Sequence, residues 1–275
     1  MKKITISNVT KISNKLAETK SSFFVNPFYL LENCYFEEKN GEIIVGQLSA
    51  IKKRKVNYIN VTNAAKNGDT FTLLSDDEIR RLDNMGIRIL EKTELGIEFF
   101  YKTADYLKLE GGEFSRIRKR INKLNKKFQV KVLDTYDKTK VIDFIDHWSK
   151  SKNTMQMQER ETRAFKNEIG STIKALDQLE KIENKSYFLE INNKLVGFRI
   201  TVPQNNDTWV GVFQKIDHSF EGLNELLYQV SSKDYQAIPW FTTGAAGGSD
   251  GLENHKRNMH PKREKRLYFV KTLSN

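Results

Sequence analysis

The sequence contains one cysteine, Cys34, and four prolines in 275 residues. A lone cysteine excludes an intramolecular disulfide framework and a cysteine-rich zinc site. So few prolines exclude a proline-rich linker protein. No apolar run approaches the roughly 20 residues that a transmembrane helix needs. The opening Met1-Lys2-Lys3-Ile4 is basic, but Thr5, Ser7, Asn8 and Lys11 stand where a signal peptide places its apolar core. A soluble chain of the cytoplasm, with no integral membrane segment, is the expectation. There are four histidines, and His255 and His260 lie five apart rather than at the i, i+4 spacing of a helical metal pair. No metal site is expected.

Hydrophobic residues make up 38% of the chain and aromatic residues 11%, enough to build a core rather than remain disordered. The formal charge is +11, and it is unevenly placed. Residues 1–110 hold 17 basic and 15 acidic side chains, which leaves 29 basic and 20 acidic in residues 111–275. From Ser115 to Lys131 there are eight basic residues and no acid. A second cluster runs through Lys256, Arg257, Lys262, Arg263, Lys265, Arg266 and Lys271, against Glu264. Concentrated positive charge of this kind suits a polyanionic partner.

Local patterning sets out the elements. Asn33 to Glu38 and Glu42 to Leu48 alternate as strands, and Asn40-Gly41 between them suits a type I′ hairpin. Ser75-Asp76-Asp77-Glu78 reads as a capping box opening a helix that Gly86 ends. Ile87 to Leu90 and Ile97 to Tyr101 read as two strands, and Gly111-Gly112 as a break. Phe114, Ile117, Ile121, Leu124 and Phe128 recur at steps of three and four, one apolar stripe of a helix with arginines and lysines between. Helices are expected over 138–150, 164–179, 218–230 and 252–259, with a polar loop over 155–163. Strands are expected over 187–191, 195–202, 208–213, 238–242 and 267–270, with a glycine-rich loop over 244–251. Residues 1–30 yield no clear element, and Val25-Asn26-Pro27 interrupts any helix there.

From residue 185 the order is therefore β-β-β-α-β-loop-α-β, the arrangement of a GNAT-like acyltransferase fold. The expected class is α/β (α+β), a tandem GNAT-like fold of two mixed sheets flanked by helices. A degenerate domain over 1–110 would precede a clearer one over 111–275.

Three stretches carry a family resemblance. The first is Asp105-Tyr106-Leu107, Leu109-Glu110-Gly111-Gly112 and Arg116-Ile117-Arg118-Lys119-Arg120-Ile121-Asn122-Lys123. The second is Leu195-Val196-Gly197-Phe198 with Glu221-Gly222-Leu223-Asn224 downstream. The third is Gly248-Ser249-Asp250-Gly251-Leu252-Glu253-Asn254-His255-Lys256, closing at Pro261. Together, over roughly residues 95–275, they resemble a bacterial family related to the C-terminal domain of phosphatidylglycerol lysyltransferases and to the Fem aminoacyltransferases. There are departures. An isoleucine separates Arg120 from Asn122 where the family reads Lys-Arg-Asn, and Thr243-Gly244-Ala245-Ala246-Gly247 replaces an acidic approach. The resemblance implies transfer of an acyl or aminoacyl group to an amine or hydroxyl. The co-substrate would be acyl-CoA or aminoacyl-tRNA, with no tightly bound cofactor.

Such transfer needs an anchored donor, a deprotonated nucleophile and a stabilised oxyanion. Arg116, Lys119, Arg120 and Lys123 on the basic helix are candidates for donor phosphates. Gly222, Asn224, Gly248 and Gly251 join them, since glycine and helix starts let backbone amides approach an anion. The segment Gln214 to Gly222 holds one glycine only, so the usual acetyl-CoA pyrophosphate cradle is not written there. Lys256, at the family's lysine position, is the first candidate in the catalytic region, through an electrostatic contact to a donor phosphate or the oxyanion. Asp250 is the second, with helix capping as its alternative role. Glu159, Glu161 and Glu168 are candidate general bases. Two further functions stay open: a nucleic-acid-binding or nucleic-acid-modifying protein that uses the helix at 115–131, and an inactive binding module on the same fold.

Overall fold

The structure is a computed structural model that describes residues 1–20, 22–48, 56–150, 159–246 and 250–274, with the side chains of 48, 159–165 and 250 left aside. In chain order the elements are β1 (Lys2–Lys3), α1 (Val9–Ala17), α2 (Pro27–Asn33), β2 (Tyr35–Lys39), β3 (Glu42–Leu48), β4 (Val56–Tyr58), β5 (Thr70–Leu74), α3 (Asp76–Asn84), β6 (Ile89–Lys102), α4 (Thr103–Lys108) and α5 (Ser115–Lys127). There follow β7 (Lys131–Leu133), α6 (Lys138–Lys150), α7 (Glu159–Leu176), β8 (Lys185–Ile191), β9 (Lys194–Asn205), β10 (Thr208–Ile216), α8 (Leu223–Asp234), β11 (Trp240–Ala245), α9 (Asp250–Arg257) and β12 (Arg263–Thr272). The stretch from β8 to β12 has the β-β-β-α-β-α-β order expected of a GNAT-like half. Among the described residues no helix is long and apolar enough to cross a membrane.

The chain forms two compact units that interleave in sequence. The first comprises Met1–Tyr101, Gln204–Val210 and Thr242–Asn275, and the second Lys102–Pro203 and Gly211–Phe241. Residues 242–275 thus lie in the unit of the N-terminal half, whereas the sequence division placed all of 111–275 together.

In the first unit the strand order is β1-β2-β3-β4-β5-β12-β6-β11. β4 and β5 run parallel, while β12 is antiparallel to both its neighbours. The β2–β3 hairpin turns at Asn40 (φ 52°) and Gly41 (φ 78°), the left-handed pair that its sequence favours. Ser75 and Glu78 form the capping box of α3 as written. α2 begins at the point where the sequence broke: Asn26 Oδ1 accepts from the Tyr29 amide at 3.0 Å, and Pro27, lacking an N–H, fills the first helical position. β6 is one strand of 14 residues, not two. β12 pairs with it from Ile89 to Phe100, so its exposed first half, Leu90 to Glu94, stays in the ladder despite its polarity. β12 is ten residues long for the same reason. Its side chains alternate between two cores. Leu267 packs with Ile12, Leu30 and Val45, whereas Tyr268 and Val270 pack with Phe71, Leu74 and Leu82.

In the second unit the strand order is β10-β9-β8-β7, with β7–β8 and β8–β9 antiparallel. Ile117, Ile121 and Leu124 of α5 are buried together with Phe114, as the stripe predicts. Each such side chain contributes about 1.5–3 kcal/mol on burial. α8 starts at Leu223, later than the sequence suggests. The Asp217 carboxylate accepts from the Ser219 amide at 2.9 Å, forming a turn, and Gly222 is left-handed (φ 103°), so no helix passes through it. α7 begins at Glu159 rather than 164, and the rest of the expected polar loop lies outside the described residues. The same holds for 247–249 in the expected glycine-rich loop.

Candidate anion-binding site

The second unit carries the basic helix. Once the apolar stripe of α5 is buried, Lys119, Asn122, Lys123, Lys126 and Lys127 are left on one exposed face, lining an open groove of about 670 Å³. Among the described residues the lining itself holds no carboxylate, although Glu221 reaches Lys123 from its edge. Arg116 is exposed one turn earlier.

The other basic residues of α5 are engaged with the protein. Arg118 Nη1 donates to the carbonyls of Leu109 and of Gly111, the latter at 2.9 Å. Arg120 Nη1 donates to Glu225 Oε1 at 2.6 Å, and its Nε lies 3.2 Å from Glu221 Oε1. Lys123 Nζ is 3.0 Å from Glu221 Oε2. That hydrogen bond and the charge of Lys123, aided by Arg120 and Arg116, hold the Glu221 carboxyl below its usual range. Arg120, expected on a donor phosphate, therefore clamps α5 to the start of α8. Lys123 divides itself between that clamp and the groove.

Gly222 is where the two helices meet. A Cβ there would lie 2.7 Å from the Arg120 carbonyl oxygen. Close packing thus accounts for this glycine, and the carboxylates of Glu221 and Glu225 flank the helix start beside it. Asn224 Oδ1 accepts from Gln214 Nε2, and Gln214 Oε1 accepts from Arg199 Nη1 at 2.5 Å. Arg199 on β9 is fully buried, with its guanidinium carbon 4.6 Å from the Tyr228 ring centroid and 5.5 Å from that of Phe241. Tyr106 packs edge-on to both rings.

Arg199 did not figure among the sequence candidates. Its signal was there: one arginine inside the apolar run Val196-Gly197-Phe198-Arg199-Ile200-Thr201-Val202. A charge at such a position is almost never buried without a reason.

The remaining candidates belong to the first unit. Lys256 is buried, and its Nζ donates to the carbonyls of Thr243 (2.9 Å), Gly244 (2.6 Å) and Ala245 (3.4 Å). The ammonium has three protons and three acceptors here. Its visible work is to hold the end of β11 against α9, where a contact to a donor phosphate or oxyanion was expected. Gly251, the second residue of α9, is exposed with open space at its Cα. Asp250 opens α9. Its side chain and Gly248 lie outside the described residues. The C-terminal basic cluster is partly neutralised: Arg257 pairs with Glu253 and Glu264, and Arg266 with Glu94. Of the candidate bases, Glu168 receives Lys215 Nζ, and the side chains of Glu159 and Glu161 are outside the described set. The structure thus brings Arg116, Lys119, Arg120, Lys123, Gly222 and Asn224 into one unit and leaves Asp250, Gly251 and Lys256 in the other.

Among solved structures, a conserved protein of unknown function from Bacteroides thetaiotaomicron VPI-5482 matches with a TM-score of 0.84 at 17% identity, over 99% of each chain. L-PGS from Bacillus licheniformis matches with a TM-score of 0.64 at 12% identity, over 95% of this chain and 91% of that one. At these identities the likeness is one of fold. No curated protein sequence matches. The family described as phosphatidylglycerol lysyltransferase, C-terminal, matches residues 53–269. That span takes in the basic helix, the Arg199 strand, the start of α8 and the Lys256 helix, and the chain belongs to the phosphatidylglycerol lysyltransferase C-terminal family.

Proposed function

We propose that this chain transfers an aminoacyl or acyl group from a phosphate-bearing donor to an amine or hydroxyl. The observation that carries the reading is the lysine-lined face of α5, where Lys123 alone of the four lysines is shared with Glu221 among the described residues, in a chain of a family named for lysyl transfer. Aminoacyl-tRNA is the favoured donor over acyl-CoA. A CoA pyrophosphate would need the start of α8, where Arg120 is already taken up by Glu221 and Glu225 and Gly222 is packed on the Arg120 carbonyl. A longer polyanion can lie along α5, one phosphate to a lysine. In the reaction the acceptor nitrogen or oxygen attacks the ester carbonyl and an oxyanion forms. The terminal hydroxyl of the tRNA then leaves, taking up the proton lost by the nucleophile. Arg116, Lys119 and Lys123 hold donor phosphates in this reading. Asn224 fixes Gln214 beside the start of α8. Lys256, through the three carbonyls, shapes the end of β11 beside α9, the helix that Asp250 and Gly251 open.

The test is acceptor-dependent loss of the aminoacyl group from charged tRNA, run beside acetyl-CoA as donor. Loss from tRNA alone is the expected result. Activity with acetyl-CoA alone would reverse the choice of donor, and no transfer with either would overturn the reading. The same groove supports a second reading, nucleic-acid binding without chemistry. Four lysine–phosphate contacts would weaken RNA binding by about 10²-fold between about 50 and about 200 mM salt. Equal affinity for charged and uncharged RNA, with no transfer, would favour it.

A further inference from the structure

The apolar stripe of α5 does not end as it begins. Phe114, Ile117, Ile121 and Leu124 are buried, whereas Phe128, the fifth member, is only half-buried. It stands where the helix stops, in extended backbone (φ −137°, ψ 144°), directly after Lys126 and Lys127 of the groove. Its ring meets that of Phe220, also half-buried, with centroids 5.1 Å apart and planes at 73°. An edge-to-face contact of this kind covers at most one face of one ring. Lys127 Nζ lies over the Phe128 ring, 5.1 Å from its centroid, and Lys127 is an exposed side chain. The ring is therefore reached from the solvent side, at the end of the lysine row.

Cations in a row with an aromatic ring beside them are the two parts of a site for single-stranded nucleic acid. The cations follow the backbone, and the ring carries a base. The place of the ring suits a base better than a further phosphate. The carboxyl end of α5 is the negative pole of the helix dipole, which disfavours an anion and is indifferent to a neutral base. The lysine over the ring provides the exchange. An ammonium on an exposed ring face is weakly held, and a phosphate draws it more strongly. When a strand arrives, Lys127 moves from ring to phosphate, and the uncovered face takes a base.

We infer that Phe128 is the stacking platform for one unpaired base of an RNA strand whose phosphates lie along Lys119, Lys123, Lys126 and Lys127. The inference rests on the reading that the α5 groove holds a polynucleotide, and it applies alike to a charged tRNA and to RNA bound without chemistry. The base must be unpaired, because inside a duplex both faces of every base are covered by its neighbours. The lysines thus select for phosphate, and Phe128 adds a selection for single strands.

The experiment compares three labelled probes on the full chain by fluorescence anisotropy at one salt concentration: a short oligoadenylate RNA, an abasic strand of the same length, and an RNA duplex. The wild type should bind oligoadenylate about tenfold more tightly than the abasic strand. Phe128→Leu, which keeps an apolar side chain against Phe220, should lose that difference, with its salt slope and its duplex affinity unchanged. If that variant does not fold, Phe128→Trp serves instead, because it keeps a ring. Its added indole emission should be quenched by oligoadenylate and left alone by the abasic strand. The inference is overturned if the wild type binds both strands equally, if Phe128→Leu keeps the preference, or if oligoadenylate binds Phe128→Trp without quenching. Equal binding of the two strands that is lost on removing Lys119, Lys126 and Lys127 would overturn the stacking site and leave the groove reading standing. No binding of any probe would overturn both.

Discussion

Lys20 and Glu78 show how much of the first unit rests on single side chains. Lys20 is buried, and burial pushes its ammonium below the ordinary lysine range, with Glu78 opposing the shift. Its Nζ donates to the Leu73 carbonyl at 2.7 Å and to Glu78 Oε2 at 2.8 Å, while Glu78 also caps α3. Replacing Glu78 with alanine should cost about 3–5 kcal/mol in urea unfolding, because the lysine would be left charged and dry. A loss near that of an ordinary helix cap, about 1 kcal/mol, would show that the pair adds nothing. Cys34 offers a pH test. Burial raises its thiol from 9.0 to about 12. Between those values the native state keeps a proton that the unfolded chain gives up, so stability present below pH 9 falls as pH rises through the window. Tyr29 nearby is raised by burial too, so Cys34→Ala should flatten only part of the fall, read as urea midpoints at about pH 8 and about pH 10.5. At this scale the sequence could be read where partners are close. Ser75 and Glu78 are three residues apart and were paired correctly, whereas Lys20 lies 58 residues from Glu78 and gave no sign of it.

On α5 the three-and-four spacing located the helix and its buried stripe, because periodicity is a property of the segment itself. Which basic side chains remain open to a ligand is a property of what the helix packs against. Glu225 and Glu221, which engage Arg120 and Lys123, lie 105 and 98 residues away in sequence. The two classes should separate in experiment. Alanine at Lys119, Lys126 and Lys127 together should lower the salt slope of RNA binding by about 2–3. These positions are exposed, so each should change stability by no more than about 0.5 kcal/mol. Arg120→Ala should do the opposite: it leaves the nearly buried Glu225 carboxylate without its arginine, at about 1–3 kcal/mol, and has less effect on the salt slope. An unchanged slope in the triple variant would remove the groove from the donor reading. The start of α8 was misplaced for a related reason. Phe220 continues the apolar spacing of the helix, but left-handed Gly222 stops the backbone short of it.

For the whole molecule, β12 is the element that a reading in chain order could not place. Its apolar centre was found, but its position between β5 and β6 depends on pairings with residues far upstream. The division at residue 110 therefore separated strands that share two cores. Ending the chain at residue 262 should abolish cooperative unfolding of the first unit, since Leu267, Tyr268 and Val270 leave both clusters at once. A sharp thermal transition retained by that truncation, with β6 still protected from hydrogen exchange, would contradict the shared core. The same strand has a consequence for synthesis. Glu94 on β6 and Arg266 on β12 are 172 residues apart. At about 5–20 residues per second a ribosome needs roughly 10–30 s to travel between them. Throughout that interval β5 and β6 face each other across a missing neighbour, with apolar surface and unpaired backbone exposed. The nascent chain is then a natural client for chaperones, and slower translation should cost soluble yield.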